Sequence, residues 1–232
     1  MRTLTWKTIR SNLSEALGEL RKLDCRLWYL FSGEVPEDWG DDDGSHKAWL
    51  ARQEQNCPFT EFSLHTSLDH AYYHLNLAWN SRRTPLEPYK NCSDRTYRRW
   101  SGFPKTREFA DLWPKKDVRK RLRKEPGFRK VSLTPVRVHI KMAVQRLDIL
   151  CYLVAKEAGE DSAWSIPPQN LDPNVDKLPL KERDFAERMH FIYEMLNHAW
   201  NRRRDKTYFI AKYAIPRRKL FPLAFMPGCL VK

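Results

Sequence analysis

The 232-residue chain is expected to be all-α, with an internally duplicated helical hairpin that forms a four-helix bundle carrying basic irregular or short-helical extensions. The first observation behind this expectation is a repeat: LNLAWNSRR at 75–83 returns as LNHAWNRRR at 196–204. The second is an apolar stripe with spacings of 4, 4, 3 and 4 that also recurs after 121 residues. Its members are Leu64, Leu68, Tyr72, Leu75 and Trp79, and then Phe185, Met189, Tyr193, Leu196 and Trp200. Such spacing is typical of a helix with one buried side, and a long repeat indicates duplicated units.

The first and third long helices are predicted from a second apolar pattern. Residues 5–31 form the first, and Pro135, just after Ser132 or Thr134, suits the first turn of the third. In both helices the apolar residues are spaced by 4, 3, 4 and 3 positions, and the second set follows the first after 124 residues. The residues concerned are Ala16, Leu20, Leu23, Leu27 and Leu30, and then Ile140, Val144, Leu147, Cys151 and Val154.

Polar segments rich in Gly, Pro and Asp separate the two helices of each copy, at 33–45 and 165–179. A short helix at 48–55, capped by Asp43 or Ser45, follows the first of these segments. We therefore expect a first repeat at 1–113, a basic connecting helix at 114–131 and a second repeat at 132–232, together in one compact domain.

Four helices with such stripes pack most economically as one bundle. If successive helices run antiparallel, the second and fourth point the same way. Both arginine-rich helix ends are then expected at one end of the bundle. The residues gathered there are Arg82, Arg83, Arg202, Arg203 and Arg204.

The net charge of +13 is unevenly distributed along the chain. Residues 1–80 carry 8 basic and 12 acidic groups, 81–141 carry 19 and 6, 142–200 carry 6 and 10, and 201–232 carry 9 and 1. The basic charge therefore follows the helical part of each copy. An anionic polymer is the leading partner class for such a chain, with protein partners in a complex as a further expectation.

Guanidinium groups alternate with rings at Arg95, Tyr97, Arg98, Arg99 and Trp100. Single-stranded nucleic acid is bound by this mixture, because charges follow the phosphates while rings stack on bases. The alternative is that the rings pack on the bundle while the arginines stay solvated.

Two further basic runs are candidate nucleic-acid contacts. Seven cations within ten residues repel one another unless a polyanion lies nearby. The first run contains Lys115, Lys116, Arg119, Lys120, Arg121, Arg123 and Lys124, and the second contains Arg217, Arg218 and Lys219.

A row of amides precedes each arginine-rich end, with Asn76 and Asn80 in the first copy and Asn197 and Asn201 in the second. Amides in such a row form hydrogen bonds to phosphates or base edges, or they form a buried pair that ties helices together. The sequence leaves both interpretations open.

Most enzyme signatures are missing from the sequence. There is no Gly-rich phosphate loop, no Gly-x-Ser-x-Gly and no His-Glu-x-x-His. A helical nuclease or metal-dependent hydrolase remains an alternative, because histidines and carboxylates share helix faces. The two rows are His65, Asp69, His70 and His74, and then Glu187, His190, Glu194 and His198. A structural subunit that binds an acidic protein is the other alternative.

The leading expectation is thus a non-catalytic protein that grips RNA or single-stranded DNA, as a subunit of a nucleoprotein complex, with no metal and no cofactor. The five cysteines are scattered without zinc-binding spacing, which indicates a reducing compartment. No segment has the apolar length of a membrane span or a secretion signal. We expect a cytoplasmic location, or a nuclear one in a eukaryotic host.

Overall fold

The computed structural model describes residues 4–39, 44–102, 106, 129–159, 168, 171, 172, 174 and 178–204. Seven α-helices lie in these residues, and no strand is found there beyond an isolated bridge between Thr60 and Lys130. The helices are α1 Trp6–Ser32, α2 Ser45–Asn56, α3 Glu61–Asn80, α4 Leu86–Lys90, α5 Asp94–Ser101, α6 Leu133–Glu157 and α7 Glu182–Asn201. The prediction of an all-α chain is confirmed for this part of the sequence.

The ends of the long helices follow local signals in the sequence. The α1 helix stops at Gly33, whose φ of 78° lies in the left-handed region that glycine adopts without strain, and its N–H donates to the Tyr29 carbonyl. Pro135 lies in the first turn of α6, where its missing N–H costs nothing. The α3 and α7 helices end at Asn80 and Asn201, as the repeated segment predicts.

The four long helices share one apolar core. The α1 helix packs against α3 and α6, and α7 packs against α6. At the centre, the stacked rings of Tyr72 and Tyr193 join α3 to α7, with 5.3 Å between their centroids. Each hydroxyl donates across the interface, Tyr72 to Asn197 Oδ1 at 2.9 Å and Tyr193 to Asn76 Oδ1 at 2.7 Å. Tyr72 and Tyr193, which are 121 residues apart, therefore make equivalent hydrogen bonds, each to an asparagine on the helix of the other.

The directions of the helices differ from the sequence-based expectation. The Thr5 N–H donates to the Arg82 carbonyl, so the start of α1 meets the end of α3. The Ser132 N–H donates to the Arg203 carbonyl, so the start of α6 meets the end of α7. We call these places the Thr5 end and the Ser132 end. They are opposite ends, because the guanidinium of Arg137 in the first turn of α6 lies 3.9 Å from the ring centroid of Trp28 near the end of α1.

The prediction that all the helix-end arginines share one end is therefore wrong. Arg82 and Arg83 lie at the Thr5 end, whereas Arg202, Arg203 and Arg204 lie at the Ser132 end. The reason is that α3 and α6 point the same way. The 52 residues from 81 to 132 are more than enough chain to return along a 20-residue helix, which is about 30 Å long.

The register that relates α1 to α6 also differs from the apolar pattern in the sequence. Nine of the ten buried residues of α1 have a buried counterpart in α6 at a shift of 127, instead of the 124 inferred from spacing. Asn12 and His139 are such a pair, and both side chains bond the carbonyl four residues earlier, at 3.0 and 2.7 Å. Because apolar residues recur every three to four positions, a shift by three keeps most of the pattern and hides the error.

The short helices α4 and α5 extend the first half and attach to the long helices. The α5 helix packs on α3, and Tyr89 of α4 donates from its hydroxyl to Asn12 Oδ1 of α1 at 2.8 Å. Within the described ranges, none of the helices has the length and apolar character needed to cross a membrane.

Candidate functional site

The arginines at the end of α3 are paired with the start of α7. The Arg82 guanidinium lies 4.0 Å from the Trp79 ring centroid and donates to the Trp79 carbonyl and to Glu182 Oε1, both at 2.8 Å. Arg83 donates to Glu182 Oε2 at 2.8 Å. Burial alone raises the pKa of Glu182, but the hydrogen bonds from both arginines outweigh it and leave the pKa below its usual value.

The matching arrangement lies at the Ser132 end, where α7 ends against the start of α3. The Arg203 guanidinium lies 3.9 Å from the Trp200 ring centroid, and its Nε lies 3.5 Å from Glu61 Oε1. Arg204 donates to Glu61 Oε2 at 2.7 Å. Glu61 is fully buried, and the hydrogen bond from Arg204 holds its pKa below the usual value despite that burial. Burial also lowers the pKa of Arg203 to about 10.

Because a carboxylate neutralises part of the charge at each end, the helix-end arginines are less available to an anionic partner than their sequence indicates. The exposed fractions of Arg83 and Arg204 are 42% and 51%, so each keeps one solvated side. Arg82 and Arg203, at 17% and 16%, are largely enclosed by the protein.

The α5 helix presents a different surface. Arg95, Arg98 and Arg99 are all exposed, and none of them pairs with a carboxylate among the residues that the structure describes. Their i, i+3 and i+4 spacing places them on one side of α5, which we call the arginine face.

The rings of α5 lie on its opposite side, which we call the ring face. Tyr97 meets Tyr73 of α3 and Tyr89 of α4, with centroids 5.8 and 6.1 Å apart. Trp100 stacks on Tyr89 at 5.8 Å with 17° between the ring planes. The alternating sequence therefore splits into a solvated arginine face and a ring face that contacts the protein.

The amides of α3 hold the end of α5. Asn76 Nδ2 donates to the Ser101 carbonyl at 2.8 Å, and Asn80 Nδ2 donates to the carbonyls of Trp100 and Gly102, both at 2.7 Å. These bonds satisfy carbonyls that a helix end leaves without partners.

In α7, Asn197 is buried and accepts from Tyr72, while Nδ2 of Asn201 is buried and makes no hydrogen bond to a residue that the structure describes. Asn76 and Asn197 therefore make the contacts expected of amides that tie helices together.

The histidine and carboxylate rows do not form a metal centre in the described residues, where no group of three potential ligands is found. His65 contacts the Trp200 ring, with centroids 5.4 Å apart. His198 lies against His139 at 5.3 Å, and its Nε2 is 3.6 Å from Glu194 Oε1. His70, on the solvent side of α3, lies 3.8 Å from Glu19. These residues are distributed among separate packing contacts.

The other predicted contacts lie outside the described residues. They are Lys115, Lys116, Arg119, Lys120, Arg121, Arg123, Lys124, Arg217, Arg218 and Lys219.

Sequence reasoning missed Glu61 and Glu182, the partners of the helix-end arginines. They stand 121 residues apart and are the first residues of α3 and α7, so the shift that relates the two similar segments was the signal that could have identified them.

Comparisons of the chain with protein-family models, with curated proteins and with solved structures find no match.

Proposed function

We propose that the protein is a non-catalytic nucleic-acid-binding protein that works as a subunit of a nucleoprotein complex and grips the phosphates of RNA or single-stranded DNA. One observation carries this proposal. The arginine face of α5 is exposed and has no carboxylate partner in the described residues, whereas most other arginines at the helix ends are paired. Unpaired, solvated guanidinium groups on one face attract a polyanion.

We also infer that the chain is a duplicated helical hairpin folded as one four-helix bundle. The crossed bonds between Tyr72 and Asn197 and between Tyr193 and Asn76 support it, because both partners shift by 121. The two ion-pair ends support it in the same way, since Glu61 with Arg203 mirrors Glu182 with Arg82. A duplication explains why each contact appears twice.

The distribution of charge supports binding by the segments that follow the helical hairpins. Residues 81–141 carry 19 basic and 6 acidic groups, and 201–232 carry 9 and 1. In contrast, the helical part of each copy is net acidic. The bundle then acts as a scaffold, and the basic segments supply the counter-charge for phosphates.

The test is the salt dependence of binding to a labelled single-stranded oligonucleotide, measured by fluorescence anisotropy on the full chain. We expect affinity to fall steeply with salt, because released counterions drive binding. Reversing the charges at Lys116, Arg119, Lys120 and Arg123 should flatten the slope. Reversal at the exposed Lys7, Lys22, Arg52 and Lys141, on helices of the bundle and on α2, should have a smaller effect. An affinity that changes neither with salt nor with the first set of charge reversals refutes the proposal.

The alternative of an acidic protein partner rests on the same exposed charge. It predicts that the purified protein carries no nucleic acid, which its ratio of absorbance at 260 and 280 nm reports. Cleavage of the labelled strand that disappears in His70→Ala or His190→Ala would instead indicate a nuclease.

A further inference from the structure

The ring face of α5 bears on how a nucleic acid is recognised, if the protein binds one as proposed above. Interleaved arginines and rings at 95–100 indicate, in sequence alone, that rings stack on bases while arginines hold phosphates. In the structure, the two residue types lie on opposite sides of the same eight-residue helix. The side with the rings faces α3 and α4.

Three sets of contacts hold the ring face in place. Tyr97 packs between Tyr73 and Tyr89, and Trp100 stacks on Tyr89. Tyr89 is itself buried and bonded to Asn12 of α1. Turning Tyr97 or Trp100 toward a ligand would break these ring contacts. Moving Tyr89 with them would also leave its buried hydroxyl and Asn12 Oδ1 without the bond between them, which is costly for buried groups.

The end of α5 is held as firmly as its rings. Asn76 and Asn80 bond three successive carbonyls, those of Trp100, Ser101 and Gly102. The helix therefore cannot roll on α3 to exchange its two faces without losing all three bonds. The arginine face is fixed outward.

On this basis we propose that α5 binds a nucleic acid through its phosphates alone, with Arg95, Arg98 and Arg99 contacting the backbone and neither Tyr97 nor Trp100 stacking on a base. Residues three and four apart on a helix are about 5–6 Å apart at Cβ. Three guanidinium groups at this spacing form a short row that follows a phosphate backbone, which carries no sequence information. The predicted contribution of α5 is the same for every base sequence.

The experiment compares two labelled single strands of equal length, one ordinary and one with abasic sugars at every position. Both carry the same number of phosphates, but only the first offers bases for stacking. Affinities are measured by anisotropy for the wild-type chain and for the triple variant Arg95→Gln, Arg98→Gln, Arg99→Gln. A matched control, Lys22→Gln, Arg52→Gln, Lys141→Gln, removes three exposed charges elsewhere, and circular dichroism verifies that all three proteins are folded.

We expect the α5 substitutions to weaken binding by the same factor on both strands. Each lost phosphate contact lowers the salt slope by about 0.7 on a single strand, so from 50 to 200 mM salt the wild-type affinity falls about twentyfold more than that of the α5 variant. The control variant should keep a slope closer to that of the wild type.

Three other outcomes are distinguishable. A larger loss on the ordinary strand than on the abasic strand overturns phosphate-only recognition, because bases then contribute at α5. Equal salt slopes for the α5 variant and the control overturn the assignment to α5. No binding of the wild-type chain to either strand refutes the proposed function itself.

Discussion

At the residue scale, Glu61 and Glu182 occupy matching places but different surroundings. Each begins a helix and receives two arginines from the end of another. Glu61 is fully buried, whereas 32% of the Glu182 side chain is exposed. Replacing either carboxylate leaves two guanidinium groups without their counter-charge. Water can take the place of the carboxylate at the partly exposed Glu182 but not at the enclosed Glu61, so the loss should be more costly at Glu61.

We therefore expect Glu61→Gln to lower the free energy of unfolding by roughly 3 kcal/mol, the scale of a broken buried ion pair. The matched substitution Glu182→Gln should cost about 1 kcal/mol or less, because water reaches that site. Urea unfolding of both variants at pH 7 measures the difference. Equal losses in the two variants would contradict the role assigned to burial.

The central tyrosines give a second test at this scale. Tyr72→Phe leaves Asn197 Oδ1 without its hydroxyl donor, and Tyr193→Phe does the same to Asn76 Oδ1. Each change should reduce the free energy of unfolding by about 1–2 kcal/mol, since a buried acceptor loses its partner. Tyr29→Phe, at a partly exposed position of α1, is the control and should change it by less than about 0.5 kcal/mol. The prediction fails if all three variants unfold alike.

At the scale of elements, the asparagines that end α3 and α7 show that one repeated residue can have two structural roles. Asn80 and Asn201 occupy the same position in the repeat and each is the last residue of its helix. Asn80 donates to two carbonyls at the end of α5, while Nδ2 of Asn201 makes no hydrogen bond within the described part of the chain. The asparagines are visible in the sequence, but the partner that distinguishes them comes from elsewhere in the chain.

Asn80→Ala should therefore loosen α5 without unfolding the four long helices. The two lost bonds are worth about 1–3 kcal/mol together, and α5 is then held by its ring contacts and by the single bond from Asn76. Amide hydrogen exchange should show faster exchange at 94–101 and unchanged protection in α1 and α6. Asn201→Ala is the matched control and should leave exchange in α5 as it is. Unchanged protection of 94–101 in Asn80→Ala would show that the bonds from Asn80 are not needed to hold the helix.

At the scale of the whole molecule, the two ends differ in their titratable groups. His65, His139 and His198 lie toward the Ser132 end, and burial lowers the pKa of all three. The charged groups around them are Asp69, Glu194, Arg202 and Arg203. At the Thr5 end, the position that matches His139 holds Asn12, which does not titrate.

The lowered pKa values of these histidines predict that the free energy of unfolding decreases in mild acid. Because the folded-state pKa of each histidine lies below the unfolded value of about 6.5, the unfolded chain binds more protons. The stabilising contribution is full above pH 6.5 and is lost as the pH falls through the lower folded-state values. We expect a lower urea midpoint at pH 5.5 than at pH 7.5.

His139→Asn copies the residue that stands at the matching place in α1, so the hydrogen bond to the carbonyl four residues earlier is available to it. It should reduce the difference between the two midpoints, since one of the histidines whose pKa is lowered by burial is gone. An undiminished difference would show that His139 does not contribute to the acid sensitivity.

The sequence by itself determined the helices, their ends and the repeat of 121 residues. These features depend on local signals, namely apolar periodicity, caps and turn residues. The predicted range of α1, 5–31, therefore agrees with the observed Trp6–Ser32 to within one residue, and α3 and α7 end within the repeated segment. The repeat also contained the pairing of the two glutamates with the arginines, because each glutamate recurs at the same shift as its partners.

Only the tertiary structure decided the direction of the helices and the direction in which each face of α5 points. A connection of 52 residues imposes no direction on the helix that follows it, and the apolar pattern is nearly the same at shifts of 124 and 127. The opposite placement of Arg82 and Arg203, and the contact of Trp100 with Tyr89, arise from packing between distant segments. Local sequence does not encode such choices, because the energy that selects them comes from contacts that exist only after the chain has folded.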